Sequence, residues 1–422
     1  MKTRSDAAKA DVIVAGGGPA GLGAALMARR NGADVLLVEQ FNFFGGMATA
    51  GLVGSFVATA GMGGGVSKEL MDRASSLGGR KGVYFDLETF KYAAQCLLEE
   101  AGVRVLLHSF MESAVVENGV VKGIWVANKG GRLRLDAKVV IDATGDGDVA
   151  ASAGAPYEKG RKEDGQMQAV TLRSRIGGVR VDQCADWKEI NRLLADEIRQ
   201  GGVHVPLYVA GVLDAGGESP KGERSFNLDM VAGVDATDPW ELSRAELAAR
   251  TAVWELVDFA KRRIPGWKDC YLIDTGVHIG VRETRRILGR YVLGRDDVMS
   301  GRKFEDGIAR CSNWMDLHDP EVFQHKEGFE RYIEKTQLPE GEWYEIPYRC
   351  LTPEKPGGIL ICGRCLSSDR EANGSLRIMV TCINTGMAAG VGAALAAGRR
   401  TLPSEVDGAE VRRLLQAQGA EL

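Results

Sequence analysis

The sequence predicts an α/β protein whose core is a doubly wound parallel sheet, interrupted by an inserted α+β domain. First, an apolar run at residues 11–15 leads through a glycine-rich turn into a helix over 22–31 and a second apolar run at 34–39. Two strands joined by a helix pair in parallel through a right-handed crossover. Second, the buried-strand pattern returns later in the chain, at 103–108, 138–143 and 357–362. Third, the composition changes in the middle of the chain.

The inserted domain is expected at residues 161–344. Charged amphipathic helices, predicted over 182–200 and 239–263, distinguish this segment from the glycine-rich segments on either side. The sheet domain is then discontinuous and is expected to comprise residues 9–160 and 345–400. Pockets for small molecules commonly lie between two such domains.

A small antiparallel meander is predicted over residues 111–135. Apolar and polar residues alternate there, and Asn118-Gly119 and Gly130-Gly131 mark two tight turns. Asparagine and glycine accept the left-handed backbone that two-residue hairpin turns require. The meander is expected to precede the strand at 138–143.

Composition excludes several classes of function. Lys and Arg total 53 against 57 Asp and Glu, a net charge of -4, so the chain has no basic field for nucleic acid or an anionic membrane. The most lipid-like stretch, residues 387–398, is shorter than the roughly 20 residues that cross a bilayer. The first residues lack the apolar core of a signal peptide, so we expect a cytoplasmic protein with mostly reduced cysteines.

The glycine-rich turn has the spacing of a dinucleotide-binding fingerprint. Gly16 permits a tight turn, Gly18 lets the backbone approach a pyrophosphate, and Gly21 lets helix and strand pack closely. Glu39 ends the second strand, 18 residues after Gly21, where a carboxylate can accept hydrogen bonds from a ribose. A lone GxGxxG is a weak signal, but the strand, helix and acid around it make a Rossmann-type nucleotide site the expected reading.

Further turns follow the predicted strands, in the segments GGMAT (45–49), VIDATGDGD (140–148) and ILICGRCLSS (359–368). Together with HIGVRETRRILGRYVL, IPYRCLTP and GSLRIMVTCINTGMAAG, these motifs run along most of the chain. In them the chain resembles the FAD-dependent oxidoreductases of the glutathione-reductase fold superfamily, and within it the broad FAD dependent oxidoreductase family.

The resemblance implies an FAD site built from several turns. It places the FAD pyrophosphate at Gly16, Gly18, Pro19, Ala20 and Gly21, and the adenosine ribose at Glu39. It places the pyrophosphate and flavin along Gly45, Gly46, Met47 and Thr49, the adenosine half near Ala143, Gly145 and Asp146, and the ribityl chain under Gly363 and Arg364.

The resemblance also implies that a helix begins near Ser375 and Leu376 and points its N-terminus at the flavin pyrimidine ring. A reduced flavin carries negative charge at that ring edge, so a helix N-terminus aided by Arg377 would raise its affinity for electrons. Pairing of Arg377 with an acid or a phosphate is the alternative. The small residues of this helix predict close packing against the first crossover unit.

Two segments offer catalytic candidates beyond the cofactor turns. His278 and Arg282 lie in a charged stretch between apolar strands, and His318 follows Asp316 on one side of an extended segment. We expect one of them to receive a substrate proton or carboxylate, with His318 as a general base. Structural ion pairing of the 278–286 segment and a surface turn at 316–320 remain the alternatives. His204, Tyr208 and Arg349 are weaker candidates.

Cys362 and Cys365 form a CxxC pair that could act as a redox dithiol. Cys362 ends an apolar strand and the pair overlaps a predicted cofactor turn, so simple packing is favoured. Together with Cys350 and Cys382, the pair gives four cysteines that could bind zinc or an iron–sulfur cluster. Their spacings along the sequence are uneven, so we expect no metal.

The expected function is an FAD-dependent oxidoreductase that transfers hydride from a C–H bond of a small organic substrate to flavin N5. The sequence holds a single GxGxxG, so oxygen, a quinone or a carrier protein is expected to reoxidise the flavin. The alternatives are a reductase of an activated double bond or, through Cys362 and Cys365, of a disulfide, and a non-catalytic flavoprotein subunit. Whether the protein forms a homo-oligomer stays open.

Overall fold

The computed structural model describes residues 8–57, 59–204, 213–214, 223–227, 230–319 and 326–422. Its strands, in chain order, are β1 (Lys9–Ala15), β2 (Val35–Val38), β3 (Arg80–Lys81), β4 (Tyr84–Phe85), β5 (Arg104–Leu106), β6 (Phe110–Glu117), β7 (Val120–Asn128), β8 (Gly131–Asp142), β9 (Tyr157–Lys159), β10 (Val170–Thr171), β11 (Ser174–Gly177), β12 (Leu213–Asp214), β13 (Arg224–Phe226), β14 (Met230–Val231), β15 (Tyr271–Thr275), β16 (Arg285–Ile287), β17 (Gly307–Cys311), β18 (Tyr344–Pro347) and β19 (Ile359–Ile361).

The helices are α1 (Pro19–Arg30), α2 (Gly65–Ser76), α3 (Leu87–Ala101), α4 (Asp148–Ser152), α5 (Trp187–Arg199), α6 (Pro239–Arg263), α7 (Arg295–Met299), α8 (Lys326–Thr336), α9 (Arg370–Leu376), α10 (Met379–Arg399) and α11 (Gly408–Ala417). Short 3-10 turns lie at Gly46–Ala48, Val181–Gln183, Tyr348–Leu351 and Pro403–Glu405.

The predicted parallel sheet is present, with the strand order β5-β2-β1-β8-β19. All four strand pairs along this order are parallel, and β1 lies at the centre between β2 and β8. Val12, Ile13 and Val14 of β1 are fully buried, as expected for a strand that is covered on both faces. The fold is therefore the doubly wound α/β class that the sequence predicts.

Strand β8 pairs antiparallel along one half and parallel along the other. Its first half pairs antiparallel with β7, where Leu133 lies opposite Val126, and its second half pairs parallel with β1 and β19. The predicted meander is present as β6-β7-β8. The sequence suggested a break between the meander and the strand at 138–143, but the structure joins them in one strand of 12 residues.

Apolar side chains cover both faces of the parallel sheet. On one face, α1, α3 and α10 pack in a single large core that includes Leu26, Leu98 and Val391. On the other face, Ile13 and Val140 pack with α4 and with apolar residues of the meander.

The middle of the chain forms smaller sheets. Strands β12, β13, β11 and β15 make a four-stranded antiparallel sheet. Helices α5 and α6 pack together in a separate core with Ile176 of this sheet. The division into domains at residues 160 and 344 stays a prediction.

Two helices have boundaries that differ from those predicted from the sequence. The helix expected at 182–200 begins at Trp187, because Asp186 accepts a hydrogen bond from the Glu189 N–H and acts as its N-cap. The helix expected from residue 376 is two helices, since α9 ends at Leu376 and α10 begins at Met379. Ile378 between them has extended backbone, and neither glycine nor proline marks this break in the sequence.

Helices α1 and α10 are in backbone contact, as the small residues predict. A Cβ added at Gly386 would lie 2.0 Å from the Ala20 carbonyl oxygen, and one added at Gly390 would lie 2.3 Å from that of Ala24. The two helices therefore run in the same direction at the closest separation their backbones allow. By length and composition α10 could cross a membrane, but 89% of its most apolar window is buried, so it is a core helix.

The helix contact gives a stability prediction. We expect Gly390→Ala to lower the free energy of unfolding by about 1–3 kcal/mol, because the added methyl group overlaps the Ala24 carbonyl. Gly398→Ala in the same helix is the control: nothing lies within 4 Å of its added Cβ, and alanine favours a helix over glycine by up to about 1 kcal/mol. Urea unfolding measures both, and equal stability of the two variants would contradict the contact.

Candidate active site

Glycine turns at the carboxyl ends of the parallel strands meet at one edge of the sheet. Gly16, after β1, has φ +101° and packs on the turn that follows β8, where a Cβ would lie 2.5 Å from the Ala143 carbonyl oxygen. The N–H of Gly45 donates to the Gly17 carbonyl at 2.8 Å, which joins the 45–49 turn to the first turn. Three of the predicted cofactor turns are therefore in contact.

The 363–364 turn completes the group at the start of α1. A Cβ at Gly363 would lie 3.0 Å from Cβ of Ala20, and one at Gly46 would lie 2.9 Å from Cα of Gly18. A Cβ at Gly21 would lie 1.8 Å from the Gly16 carbonyl oxygen, so only glycine fits there. The structure thus brings together the turns that the sequence assigned to one cofactor.

The start of α1 has its donors unsatisfied by any side chain. Aspartate side chains cap α3, α5, α6, α9 and α11. By contrast, Gly18 is the N-cap of α1, Pro19 is its first residue, and no acid lies in its first turn. A Cβ at Gly18 would meet only Cα of Gly46, at 3.8 Å, so the space beside Gly18 is open. An uncapped helix N-terminus beside open space is an anion site.

Glu39 lies at the end of β2, beside this turn. Its Oε2 accepts from the Gly17 N–H at 2.7 Å and its Oε1 from the Phe41 N–H at 2.9 Å. Burial raises the pKa of the Glu39 carboxyl, against the opposing effect of these backbone N–H groups. Each carboxylate oxygen has a second lone pair for a ribose hydroxyl.

Two other predicted cofactor residues have partners within the protein. The Thr49 hydroxyl donates to the Phe44 carbonyl at 2.8 Å, so it holds the 45–49 turn in shape. The side chain of Met47 lies over Gly51 and reaches Gly280, which links this turn to the middle of the chain. Contacts of both residues with a cofactor stay predictions.

Arg364 has a partner that the sequence did not indicate. Its Nη2 donates to Asp146 Oδ1 at 2.6 Å and its Nη1 to the Val281 carbonyl at 2.8 Å. The guanidinium lies across Gly145, where a Cβ would be 3.2 Å from its central carbon. Arg364 and Asp146 therefore neutralise each other between two of the turns, and their direct contact with a cofactor stays a prediction.

These features fit the FAD that the sequence predicts. The open space at Gly18 and the uncapped start of α1 suit a diphosphate, and Glu39 suits the ribose. Helix α10 also begins without a side-chain cap, and the buried Thr381 hydroxyl in its first turn has no hydrogen-bond partner among the described residues. Both helix starts thus offer donors to a bound group.

The placement of Ser375 and Leu376 corrects an expectation. Both residues belong to the last turn of α9, not to the start of the long helix. The Ser375 hydroxyl accepts from Tyr344 at 2.8 Å and donates to the Asn313 carbonyl, and Leu376 is buried in the core. The α10 N-terminus is therefore formed by Ile378 and Met379, and neither Ser375 nor Leu376 lies there.

Three of the four catalytic candidates meet around Asp316. His318 Nε2 lies 3.0 Å from Asp316 Oδ1. Arg377 Nη2 donates to Asp316 Oδ2 at 3.0 Å and to the Asp316 carbonyl at 2.6 Å. The predicted acid and imidazole pair is confirmed, and Arg377 has the acidic partner that was its alternative. Arg282 acts electrostatically on both Asp316 and His318.

The charges in this group lower two pKa values. Burial opposes ionisation of Asp316, but His318 and Arg377 hold the pKa of its carboxyl well below the ordinary range. Burial, aided by Arg282, lowers the pKa of His318 to about 4 in spite of the Asp316 carboxylate. At neutral pH the pair is therefore an ionised aspartate and a neutral imidazole.

Gln168 is the member of this group that the sequence analysis missed. Its Oε1 accepts from the backbone N–H of His318 at 3.1 Å and from Arg377 Nη2 at 3.3 Å. Its Nε2 and the Arg377 Nε are buried without a hydrogen-bond partner among the described residues. A glutamine at the start of a predicted apolar strand belongs to no sequence motif that would mark it as a functional residue. Only the three-dimensional fold shows that it lies beside His318 and Arg377.

His278 belongs to a different part of the site. The N–H of its neighbour Val277 donates to the Ala50 carbonyl at 2.9 Å, and the His278 ring meets that of Phe41 edge-on. Burial, with Arg364 nearby, lowers the pKa of His278. His278 therefore lies beside the 45–51 turn, whereas Arg282 contacts Ala169 and Thr171.

Most charges of the 278–286 segment are paired structurally. Glu283 is buried and binds both Arg286, at 2.5 Å, and Arg370, at 3.0 Å. Arg370 also binds Asp319, and Arg285 binds Asp148. Structural pairing, the alternative for this segment, is confirmed for these residues.

The cysteines give no support to redox or metal chemistry. Cys362 and Cys365 are fully buried, and burial raises the pKa of both thiols well above the ordinary value. Reactive dithiols are accessible and have lowered pKa values. Among the described residues, which include all eight cysteines, none is in a disulfide and no three metal-binding side chains converge.

The three weaker candidates lie elsewhere. His204 is 76% exposed and pairs with Glu255, and Arg349 is half exposed and pairs with Asp306. Neither contacts the Asp316 group. Tyr208 lies outside the described residues.

The lowered pKa of His318 predicts a pH dependence of stability. An unfolded histidine binds a proton near pH 6.5, whereas folded His318 resists protonation down to about pH 4, so stability falls as the pH falls through this window. Between pH 7 and pH 5 we expect His318→Gln to lose about 1–2 kcal/mol less unfolding free energy than the wild type. Urea unfolding at both pH values measures this. The control His204→Gln should lose as much unfolding free energy between pH 7 and pH 5 as the wild type. Equal losses of unfolding free energy in all three proteins would contradict the burial of His318.

Glu39 gives a prediction for cofactor binding. We expect Glu39→Gln to raise the Kd for FAD about tenfold to hundredfold, because a hydrogen bond to a charged group contributes about 1.5–3 kcal/mol. Titration of the apoprotein, followed by quenching of FAD fluorescence, measures the Kd. Glu99→Gln on the outer side of α3 is the control. A wild-type Kd in Glu39→Gln would show that the ribose lies elsewhere.

Comparisons with known proteins identify the family of the chain. Residues 11–415 match the profile of the family described as FAD dependent oxidoreductase. The thiamine thiazole synthase of Aeropyrum pernix is 32% identical over 219 residues, which cover 48% of this chain and 73% of that protein.

Two solved structures are similar over almost the whole chain. A geranylgeranyl bacteriochlorophyll reductase-like protein from Thermoplasma acidophilum has a TM-score of 0.47 and 15% identity, covering 98% of this chain and 84% of that one. A triple mutant of the flavin-dependent brominase Bmp2 has a TM-score of 0.47 and 14% identity, covering 97% and 84%. Neither likeness bears on the reaction. Because the family profile matches nearly the full length, the chain belongs to the FAD dependent oxidoreductase family and is an enzyme that uses FAD.

Proposed function

We propose that the protein oxidises a small organic substrate, from which a hydride leaves a C–H bond while a side chain of the pocket takes a proton. FAD, when bound, supplies the acceptor for the hydride at its N5 atom. The observation that carries the proposal is the buried pair of His318 and Asp316, with Arg282 and Arg377 beside it, next to the start of α10.

His318 is the group proposed to take the proton. Its Nε2–H donates to Asp316 Oδ1, which leaves the lone pair of the neutral imidazole on Nδ1. A proton that arrives at Nδ1 makes an imidazolium, and the ionised Asp316 stabilises that cation at 3.0 Å. Asp316 also fixes the orientation of the ring, as the acid does in other acid–imidazole pairs.

Arg282 and Arg377 are proposed to hold the substrate and to set the state of the base. Burial, aided by their positive charge, keeps His318 neutral in the resting enzyme, so its imidazole has a lone pair available for a proton. Their guanidinium groups suit a carboxylate or a developing oxyanion on the substrate. His278, beside the 45–51 turn, is the second candidate base.

Oxygen, a quinone or a carrier protein is proposed as the electron acceptor. The sequence has one dinucleotide fingerprint, at residues 16–21, and we assign that turn to FAD, so no second fingerprint remains for a nicotinamide cofactor. The disulfide-reducing alternative loses its support because Cys362 and Cys365 are buried.

Anaerobic reduction of the flavin tests the proposal. Alcohols, amines, sugars and hydroxy acids are mixed with the FAD-loaded enzyme, and bleaching of the flavin absorbance identifies a substrate. With that substrate we expect His318→Gln to slow flavin reduction about 10²- to 10⁴-fold, the usual contribution of a general base. His204→Gln should react at the wild-type rate. Reduced enzyme that is reoxidised rapidly by an activated alkene, and not by oxygen, would contradict an oxidase-type reaction and support a reductase.

A further inference from the structure

Helix α6 carries a line of large apolar side chains on its outer surface. Its inner face is packed in the cores of the middle segment, where Val253, Leu256 and Phe259 are buried. On the outer face, Trp240 is 79% exposed, Leu247 is 68% exposed and Trp254 is 60% exposed. Tryptophan is rarely left in water, and a row of such side chains marks an interaction surface.

The spacing along this line is that of a helix-pairing seam. Trp240, Leu247 and Trp254 are seven residues apart, so each lies within about 20° of the one before it around the helix. Exposed Ser243 and Thr251 lie between the large side chains. The series Trp240, Ser243, Leu247, Thr251 and Trp254, which we call the α6 seam, alternates large and small residues at intervals of three or four, so its members lie along one side of the helix.

The two small residues of the seam are prepared for a dry contact. The Ser243 hydroxyl donates to the Pro239 carbonyl at 2.6 Å, and the Thr251 hydroxyl donates to the Leu247 carbonyl at 3.1 Å. Both hydroxyl groups are therefore satisfied within α6. Covering them with another helix leaves no buried donor without a partner.

The seam is symmetric about Leu247, and this symmetry identifies the partner. Trp240 and Trp254 lie seven residues before and after Leu247, and Ser243 and Thr251 lie four residues before and after it. A two-fold axis through Leu247 would pair each Trp240 with the partner's Trp254, each Ser243 with the partner's Thr251, and Leu247 with itself. In a two-fold interface the same patch of the two copies meets itself, and here this places apolar side chains opposite apolar ones and small residues opposite small ones.

We propose that the protein forms a homodimer through antiparallel packing of α6 against α6 of a second copy. The exposed parts of the two tryptophans and the leucine amount to roughly 400 Å² per copy, or about 800 Å² for the pair. Stable dimers bury about 1,200–2,000 Å², so the polar flanks of the helix supply the remainder. We therefore expect a dimer with a Kd on the order of micromolar, which is independent of the reaction the enzyme catalyses.

Sedimentation velocity of the FAD-loaded full chain, over about 1–100 μM, tests the dimer. The wild type should change from monomer to dimer with rising concentration. Leu247→Glu should raise the Kd at least 100-fold, because it places two like charges on the axis. Val116→Glu, a matching change at an exposed apolar residue of β6, should leave the Kd unchanged. A wild type that stays monomeric, or a dimer unaffected by Leu247→Glu, would overturn the proposal.

Charge pairs test the antiparallel orientation. A chain carrying both Trp240→Glu and Trp254→Lys should dimerise more weakly than the wild type, because it loses apolar area, but more strongly than a chain with glutamate at both positions, because each glutamate meets a lysine of the partner. Equal Kd values for the two chains would show that the residues at positions 240 and 254 do not meet. A monomeric wild type that floats with phosphatidylcholine vesicles, and loses this property in Leu247→Glu, would assign the seam to a lipid surface instead.

Discussion

The backbone contact between α1 and α10 is the constraint on which the site depends. Gly23, Gly386 and Gly390 remove the side chains that would separate the helices, so the two run side by side in one direction. Ala20, at the start of α1, lies opposite Gly386, seven residues into α10, so α10 begins about 10 Å ahead of the first turn. The two uncapped helix starts are thereby fixed at different depths of the same edge of the sheet.

Buried ion pairs join the middle of the chain to its C-terminal segment. Glu283 binds Arg370, which in turn binds Asp319, while Asp316 binds Arg377. Burying charges is costly unless they are well paired, and here Glu283 is shared by Arg286 and Arg370. The geometry of these pairs is restrictive in a way that apolar packing is not, so they fix where His318 lies relative to α10.

The sequence predicted the features that local backbone chemistry dictates. Gly16 and Gly45 lie in turns with positive φ, which favours glycine, and Gly21 allows α1 to approach the first turn; these turns are present and in contact. Features set by distant partners could not be predicted. The break at Ile378 has no glycine or proline, the Arg364–Asp146 pair joins residues 218 positions apart, and Gln168 acts through partners supplied by two other segments.

The turns that meet at the sheet edge come from the first 50 residues, from the end of β8 and from the segment after β19. A growing polypeptide on the ribosome can fold the first crossover unit early, but it cannot assemble a complete cradle until Arg364 and the start of α10 have emerged. Completion of this edge of the sheet is therefore a late event in biosynthesis. A chain truncated before that point would lack one of the turns that pack on the start of α1, however well its N-terminal half had folded.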